Sequence, residues 1–229
     1  MALERLDYYD VALPMRAAES PRRRFGVPLG GPIDRMAFTF CSDATEVWET
    51  FGLGLSHWRV KRDGWLSVTG GARKLEVNGT LTEVPVAVKP GDQVCVSPVL
   101  AGQVAYIALS DNPIQQVKTE GKREVRILPS IDDLDQTPLL ATAFSLSLSS
   151  SRHGWRLNEA ISGAKDLPRS EPCAPGVIQC TPNGQLIIIG PDGPTIGGYA
   201  RIGAVTDEDL DLLARIGFNQ PFNFTKCEF

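Results

Sequence analysis

The chain of 229 residues is long enough to bury a sizeable core, as one large domain or two small ones. Its 42% hydrophobic and 22% charged residues exclude a largely disordered polypeptide. A formal net charge of −4 and a pI near 5.3 offer no general attraction to phosphate backbones or anionic lipid, which argues against nucleic-acid and membrane partners.

Met1-Ala2-Leu3-Glu4-Arg5 lacks the basic-then-apolar order of a secretory signal, and no run is long enough to span a bilayer, so a cytoplasmic protein is expected. Arg22-Arg23-Arg24 reads as a solvated basic turn. The Gly30-Gly31 turn follows, and Asp34 is placed to cap a short helix carrying Met36 and Phe40. From Trp65 to Leu109 the pattern is β: Trp65–Thr69, Lys74–Val77, Pro85–Val88, Gln93–Val96 and Gln103–Leu109 are short, partly alternating stretches. Asn78-Gly79 and Pro90-Gly91-Asp92 supply turn chemistry between them, since glycine and asparagine tolerate positive φ and proline presets the first turn position. A meander closing into a barrel or sandwich is the economical outcome.

The polar stretch Ser110–Lys122 reads as a linker or crossover, which sets an N-terminal β lobe at 1–112 and a C-terminal β-barrel lobe at 113–229. The second lobe holds Val125–Leu128, Phe144–Leu148 and Gln185–Ile189 as strands. Its last helix opens at Thr206-Asp207-Glu208-Asp209 with a cap and early acidic charge, places Leu210, Leu213 and Ile216 on one face, and closes at Gly217. Between Ser170 and Gly203, apolar stretches alternate with glycine turns and a few isolated polar groups: Glu171, Gln179, Tyr199 and Arg201. That is the composition of a ligand cleft cut into a barrel.

Cys41, Cys95, Cys173, Cys180 and Cys227 form an odd set without a CxxC pair, so free thiols are expected rather than disulfides or a zinc knuckle. With only His57 and His153 available, no metal is assigned.

Three segments resemble a known family in the same order and spacing. Gly26-Val27-Pro28-Leu29-Gly30-Gly31-Pro32-Ile33-Asp34 is similar to the "GVPxSGAMD" signature of the allophanate hydrolase subunit 2 family. Ser151-Arg152-His153-Gly154-Trp155-Arg156-Leu157 resembles its "SDRMGxRL", and Ser170–Gly203 resembles its "SEPxxxGxIQxPxxGxPIxLxxDxQTTGGYPxIG". The family takes in the kinase-inhibitor antagonist, the C subunit of the bacterial ATP-dependent 5-oxoprolinase, and one half of the carboxyltransferase domain of urea carboxylase. The resemblance implies a mainly β fold, a cyclophilin-like β-barrel architecture in two lobes with a few short helices. It also implies a subunit-B-like partner of related fold, so that each chain contributes half of a substrate cleft.

The chain departs from the pattern in several places. After Asn112 it lacks a Gly-Ser-rich segment of its relatives, and Ala17-Ala18-Glu19-Ser20-Pro21 replaces a Val-Gln-Asp. Ser151 replaces an aspartate, His153 a methionine and Pro194 a glutamine, leaving Asp192 as the surviving acid.

Each candidate position has a functional and an architectural reading. Asp34 is carried over as a catalytic carboxylate near the cleft or is a helix cap. Gly30 and Gly31 form an anion-binding nest or a plain turn. Gly197, Gly198 and Tyr199 offer close backbone approach and a phenol to an amide or carboxylate substrate, or form a β-bulge with a packed tyrosine. Arg152 provides a planar fork for an anion, or it and Arg156 pair with Glu159, Glu171 or Asp166. Glu171, as catalytic acid, and Gln179, as substrate amide contact, accept from and donate to a ureido or lactam group, or hold two strands in register.

Two functions follow from the resemblance. One is a hydrolase subunit acting on carbon-nitrogen bonds of cyclic amides, active only with partner subunits. No covalently bound cofactor is expected, and since the chain has no Walker-type loop, any ATP bound through the complex would use barrel-surface contacts or the partner. The other is a non-catalytic regulatory module that binds a kinase-inhibitor-like partner.

Overall fold

The computed structural model describes residues 1–7, 10–18, 22–52, 54–98, 101–114, 123–163, 167 and 169–227. Most of the expected 110–122 linker, Glu19-Ser20-Pro21 and Asp166 therefore lie outside the described residues. The chain divides into two compact units: Met1–Ala17 with Asp34–Glu120, and Ala18–Ile33 with Gly121–Phe229. The segment 18–33, N-terminal in sequence, thus belongs with the C-terminal residues.

In the first unit, β1 (Leu3–Arg5), β4 (Ser56–Val60), β9 (Gln93–Val96), β6 (Leu75–Val77) and β7 (Thr80–Thr82) form one antiparallel sheet in that order. A second sheet runs β2 (Ala12–Pro14), β3 (Glu46–Thr50), β10 (Ala101–Ser110), β5 (Gly64–Ala72), β8 (Val86–Val88). In β4 the alternate residues Ser56, Trp58 and Val60 are buried while His57 and Arg59 are not, as the two-residue repeat of a strand requires. Trp58, Val60, Leu75, Val94 and Val96 from the first sheet cluster with Trp48, Leu66, Val68, Val88, Ile107 and Leu109 from the second. The indoles of Trp48 and Trp58 meet at 5.1 Å. Asn78 and Gly79 both take positive φ (53° and 77°) and join β6 to β7, the two-residue hairpin their dipeptide announces.

Asp34 caps α1 (Arg35–Thr39), its Oδ1 accepting from the Ala37 N–H at 2.9 Å. Met36 and Phe40 are exposed, and the inward face of this short helix is the buried Ala37 with Phe38, whose ring meets Tyr106 edge-on at 5.9 Å.

The second unit begins with a single 3-10 turn at Arg23–Phe25, ended by Gly26 at φ 81°. Its remaining elements are β11 (Glu124–Leu128), α2 (Thr137–Ala141), β12 (Ala143–Ser145), β13 (Gly154–Ala160), β14 (Glu171–Pro172), β15 (Val177–Cys180), β16 (Gln185–Ile189), β17 (Ile196–Gly197), β18 (Ala200–Val205), α3 (Asp207–Arg215) and β19 (Pro221–Lys226). Seven strands form a sheet ordered β12-β19-β11-β18-β15-β16-β13. Past β12, Leu146 bridges Leu157 of β13 and the Ser147 N–H donates to Arg156 O at 2.8 Å, which joins the two ends of the sheet into a barrel. Phe144, Phe222 and Phe224 stack inside it with centroids 5.2 to 5.4 Å apart. The short β14–β17 ribbon stands as a separate two-stranded sheet. The architecture is mainly β, barrel-like, with few helices.

Leu210, Leu213 and Ile216 are buried, as the apolar stripe requires. Thr206 occupies the N-cap position of α3, but its side chain makes no capping bond. The early acidic charge is spent elsewhere, on a neighbouring strand. Asp209 turns back onto β11 and takes the Arg126 backbone N–H at 2.6 Å and its guanidinium at 2.9 and 3.0 Å.

Candidate functional site

All the candidate positions except Asp34 lie in the second unit, on strands β14, β15 and β17 and on the loops that adjoin the barrel. Two linked groups make up this rim. In the first, Glu171 of β14 pairs with Gly197 of β17. The buried Gln179 of β15 directs its amide Nε2 to the Cys173 Sγ at 3.3 Å. A Cβ at position 197 would overlap Gln179 Nε2 and approach Cys173 Sγ to 3.1 Å, so a side chain there would push this amide aside where the ribbon crosses it. Glu171, Gln179 and Gly197 are thereby brought together.

Gln179 faces Arg201 of β18, where the register shifts by a bulge. Arg201 forms a two-pronged pair with Asp132 (2.8 and 3.2 Å), its backbone N–H adds a third bond at 2.7 Å, and its Nη1 reaches Pro172 O at 3.1 Å. Through these side-chain bonds Arg201 holds the Asp132 carboxyl below its ordinary pKa. The Cys173 thiol is pushed up, by burial above all, and stays protonated.

The second group is built on Arg152. Its guanidinium is buried and grips Asp192 through Nε at 2.6 Å and Nη2 at 2.9 Å, and Nη2 also donates to Gly31 O at 2.6 Å. Its fork is therefore engaged from within the unit, by Asp192 and the Gly31 carbonyl. Glu159 is taken by the Ser145 N–H and hydroxyl, Glu171 by Arg169, and Arg156 donates to Gln185. Gly30 and Gly31 take φ of 67° and 82°, but the Gly30 N–H donates to Pro191 O at 2.9 Å. A Cβ on Gly31 would come within 2.7 Å of the Ala18 Cβ. This turn is thus a close-packed clasp on the 190–193 loop. That loop runs on to Thr195, whose carbonyl accepts from the Cys173 N–H at 2.9 Å, and so ties the two groups together.

At the surface of the rim stand the Glu171 carboxylate, which accepts from Arg169 Nε at 2.9 Å, and Tyr199, which is 39% exposed rather than packed on a bulge. Gly198 has open space where a side chain would be, and its carbonyl accepts from the Leu167 N–H at 2.7 Å. An acceptor carboxylate, a phenol and a buried amide beneath them are suited to orient a neutral amide-like group. No group of three His, Cys, Asp or Glu among the described residues could hold a metal ion.

Asp34 lies in the first unit and is 1% exposed. Its backbone N–H donates to the Tyr106 hydroxyl at 3.0 Å, and that hydroxyl donates to Glu49 at 2.6 Å. Its carboxylate is engaged as the cap described above, which leaves it buried within the first unit. Two cavities of about 510 and 480 Å³ are lined by first-unit residues and by none of the candidates. Sequence reasoning missed Asp132 and the place of Cys173, because neither carries a spacing signal before β14, β15 and β18 are aligned.

A mainly β chain built as a sheet pair and a barrel, with this rim, is matched by the family model "Carboxyltransferase domain, subdomain A and B" over residues 110–226. The chain belongs to that family. It is 34% identical over 111 residues to the C subunit of 5-oxoprolinase from Escherichia coli (strain K12), a stretch that is 45% of this chain and 36% of that protein. The crystal structure of TTHA0988 superimposes with a TM-score of 0.80 at 17% identity, over 93% of this chain and 53% of that one. The Kluyveromyces lactis urea carboxylase superimposes with a TM-score of 0.68 at 17% identity, over 97% of this chain and 28% of that one. These structures share the fold, and the chain spans about half or less of the length of each relative. No helix among the described residues is long and apolar enough to cross a membrane.

Proposed function

We propose that the chain is a subunit of an amide- or lactam-acting complex resembling ATP-dependent 5-oxoprolinase, and that its barrel rim forms one wall of a substrate cleft whose other wall comes from a subunit-B-like protein. The supporting observation is that Glu171, Gln179 and Gly197 converge at one rim, inside the half of the chain matched by the carboxyltransferase family model. Glu171 would accept the lactam N–H, and Tyr199 would donate toward the carbonyl oxygen. Gln179 keeps the floor polar, while Arg152 and Arg201 hold the loops rigid through Asp192 and Asp132. In such chemistry ATP activates the inert carbonyl and the protein's part is orientation and charge stabilisation. Asp34 is assigned an architectural role.

The test is reconstitution with the subunit-B-like protein and any third subunit. ATP-dependent cleavage of 5-oxoproline that falls at least tenfold in Glu171→Gln supports the assignment, on the scale typical of a positioned acid-base group. Tight assembly with no turnover supports the second reading, a binding module without chemistry. The observation favouring that reading is that the Arg152 fork is already occupied by Asp192.

A further inference from the structure

Beside the Glu171 rim lies a surface that the substrate cleft does not use. Phe25 is 71% exposed, Val27 45% and Ile196 60%, all in the second unit. Their adjacency is fixed by bonding between segments: Arg23 donates to Cys173 O, the Cys173 N–H donates to Thr195 O, and a Cβ on Gly26 would lie 3.9 Å from Thr195 Oγ1. Ile196 pairs across the ribbon with Pro172, which is also exposed. The ribbon has only two residue pairs and belongs to none of the three larger sheets, and so small a ribbon is marginal in water without cover.

The rim of this patch is basic in a chain whose net charge is −4. Arg22, Arg23 and Arg24 precede Phe25, and the Arg24 guanidinium stacks 4.9 Å from the Phe25 ring centroid. An aromatic anchor with an arginine stacked on it, within an apolar centre, is the composition found at the energetic centre of protein interfaces. The solved relatives also extend well beyond the part this chain matches, with 53% of TTHA0988 covered.

We propose that the Phe25–Val27 turn and the Pro172–Ile196 ribbon form the docking surface for the subunit-B-like protein, through a surface on that partner with an apolar centre ringed by carboxylates. Resting on the pairing proposed above, this adds where the partner sits: directly beside Glu171, so that assembly and completion of the cleft are one event.

The experiment is calorimetric titration of the full chain with the purified subunit-B-like protein, at low and high salt. The double variant Phe25→Ser/Ile196→Ser is expected to bind roughly tenfold to a hundredfold more weakly, the range of a lost interface anchor. Arg22→Glu/Arg24→Glu is expected to weaken binding and flatten its salt dependence. Because all four side chains are exposed or half-buried, thermal unfolding midpoints should match the wild type; Ile196→Lys alone carries the same test should the double variant unfold early.

Wild-type binding that is undiminished in both variants overturns the surface and leaves the pairing standing. Absence of any binding by the wild type overturns the pairing and the surface together. A wild-type homodimer that the double variant converts to monomer, with binding of the subunit-B-like protein unchanged, also overturns the proposal and assigns the patch to a second copy.

Discussion

The two units differ in how deeply they bury polar side chains, the second leaving its buried polar groups at 4–8% exposure. The first goes deeper: Asp10, Asp34, Glu49, Thr50, Ser67 and Thr69 are all at most 2% exposed. Arg73 and Asp10 pair at 3.0 Å with no side-chain exposure at all, and burial pushes the Arg73 guanidinium below its ordinary pKa. The second unit fills its barrel with aromatic and aliphatic groups and uses its ion pairs as braces, Arg152–Asp192 and Arg201–Asp132 on loops and Arg126–Asp209 between β11 and α3. A buried network fixes one arrangement of a core, whereas a braced rim presents a few groups to whatever arrives. The comparison separates Asp34 from Glu171, two acids that motif matching placed in the same role.

The contrast can be broken by experiment. The largest effect is expected from Asp10→Ala, which strands the Arg73 charge and should lower unfolding free energy by about 3–5 kcal/mol in urea titration. A loss under 1 kcal/mol would show that the first unit does not depend on its interior charges. Gly197→Ala forces the Gln179 amide aside and should cost about 1–3 kcal/mol, with loss of turnover exceeding the loss of stability.

Tyr106→Phe removes a donor to Glu49 and should cost about 1–2 kcal/mol at neutral pH. It also carries a pH signature. Burial, and then the Glu49 carboxylate, raise the Tyr106 pKa well above its ordinary value. The wild type should therefore lose stability as pH climbs past about 10, the unfolded value. That alkaline loss should be absent in the phenylalanine variant. Asp132 titrates in the opposite sense, since its pKa is depressed by Arg201. Its contribution is present above about pH 4 and fades as pH falls toward the folded value, so Asp132→Asn should flatten the acid limb of the stability curve. Smallest in stability is Glu171→Gln, within about 0.5 kcal/mol, because the carboxylate is surface-facing. The same substitution should suppress turnover.

Much of the fold was legible where local chemistry and burial agree. Strands β5, β6, β8, β9 and β10, the Asn78-Gly79 hairpin and the apolar stripe of α3 all follow from alternation, turn residues and helical spacing. Strand β3 was not, since Glu46-Val47-Trp48-Glu49-Thr50 is buried on both faces and its interior glutamate hides the apolar signal. Strands β1, β2 and β7 have three residues each and, unlike the equally short β6 and β8, lack alternating valine or leucine residues beside a turn signal.

At the rim, the meeting of Glu171 with Gly197 could be anticipated only as membership of one motif. That Arg152 would choose Asp192 could not, because the partner is set by the close approach of Gly31 and the 190–193 loop. Asp34 shows the limit of carrying a role across by motif: a residue between a glycine turn and a helix is captured by the backbone donors it precedes.

The segment 18–33 leaves one unit, joins the other, and the chain then returns. On the ribosome, it therefore emerges before most of the sheets of the first unit and long before the barrel that receives it. The first unit is complete once residue 120 is made, whereas the second matures only by recruiting a piece made near the beginning. A fragment starting at residue 121 would leave Arg152 without its Gly31 acceptor and Pro191 without its Gly30 donor. Efforts to isolate the barrel should therefore carry residues 18–33 along, joined or added as a separate peptide.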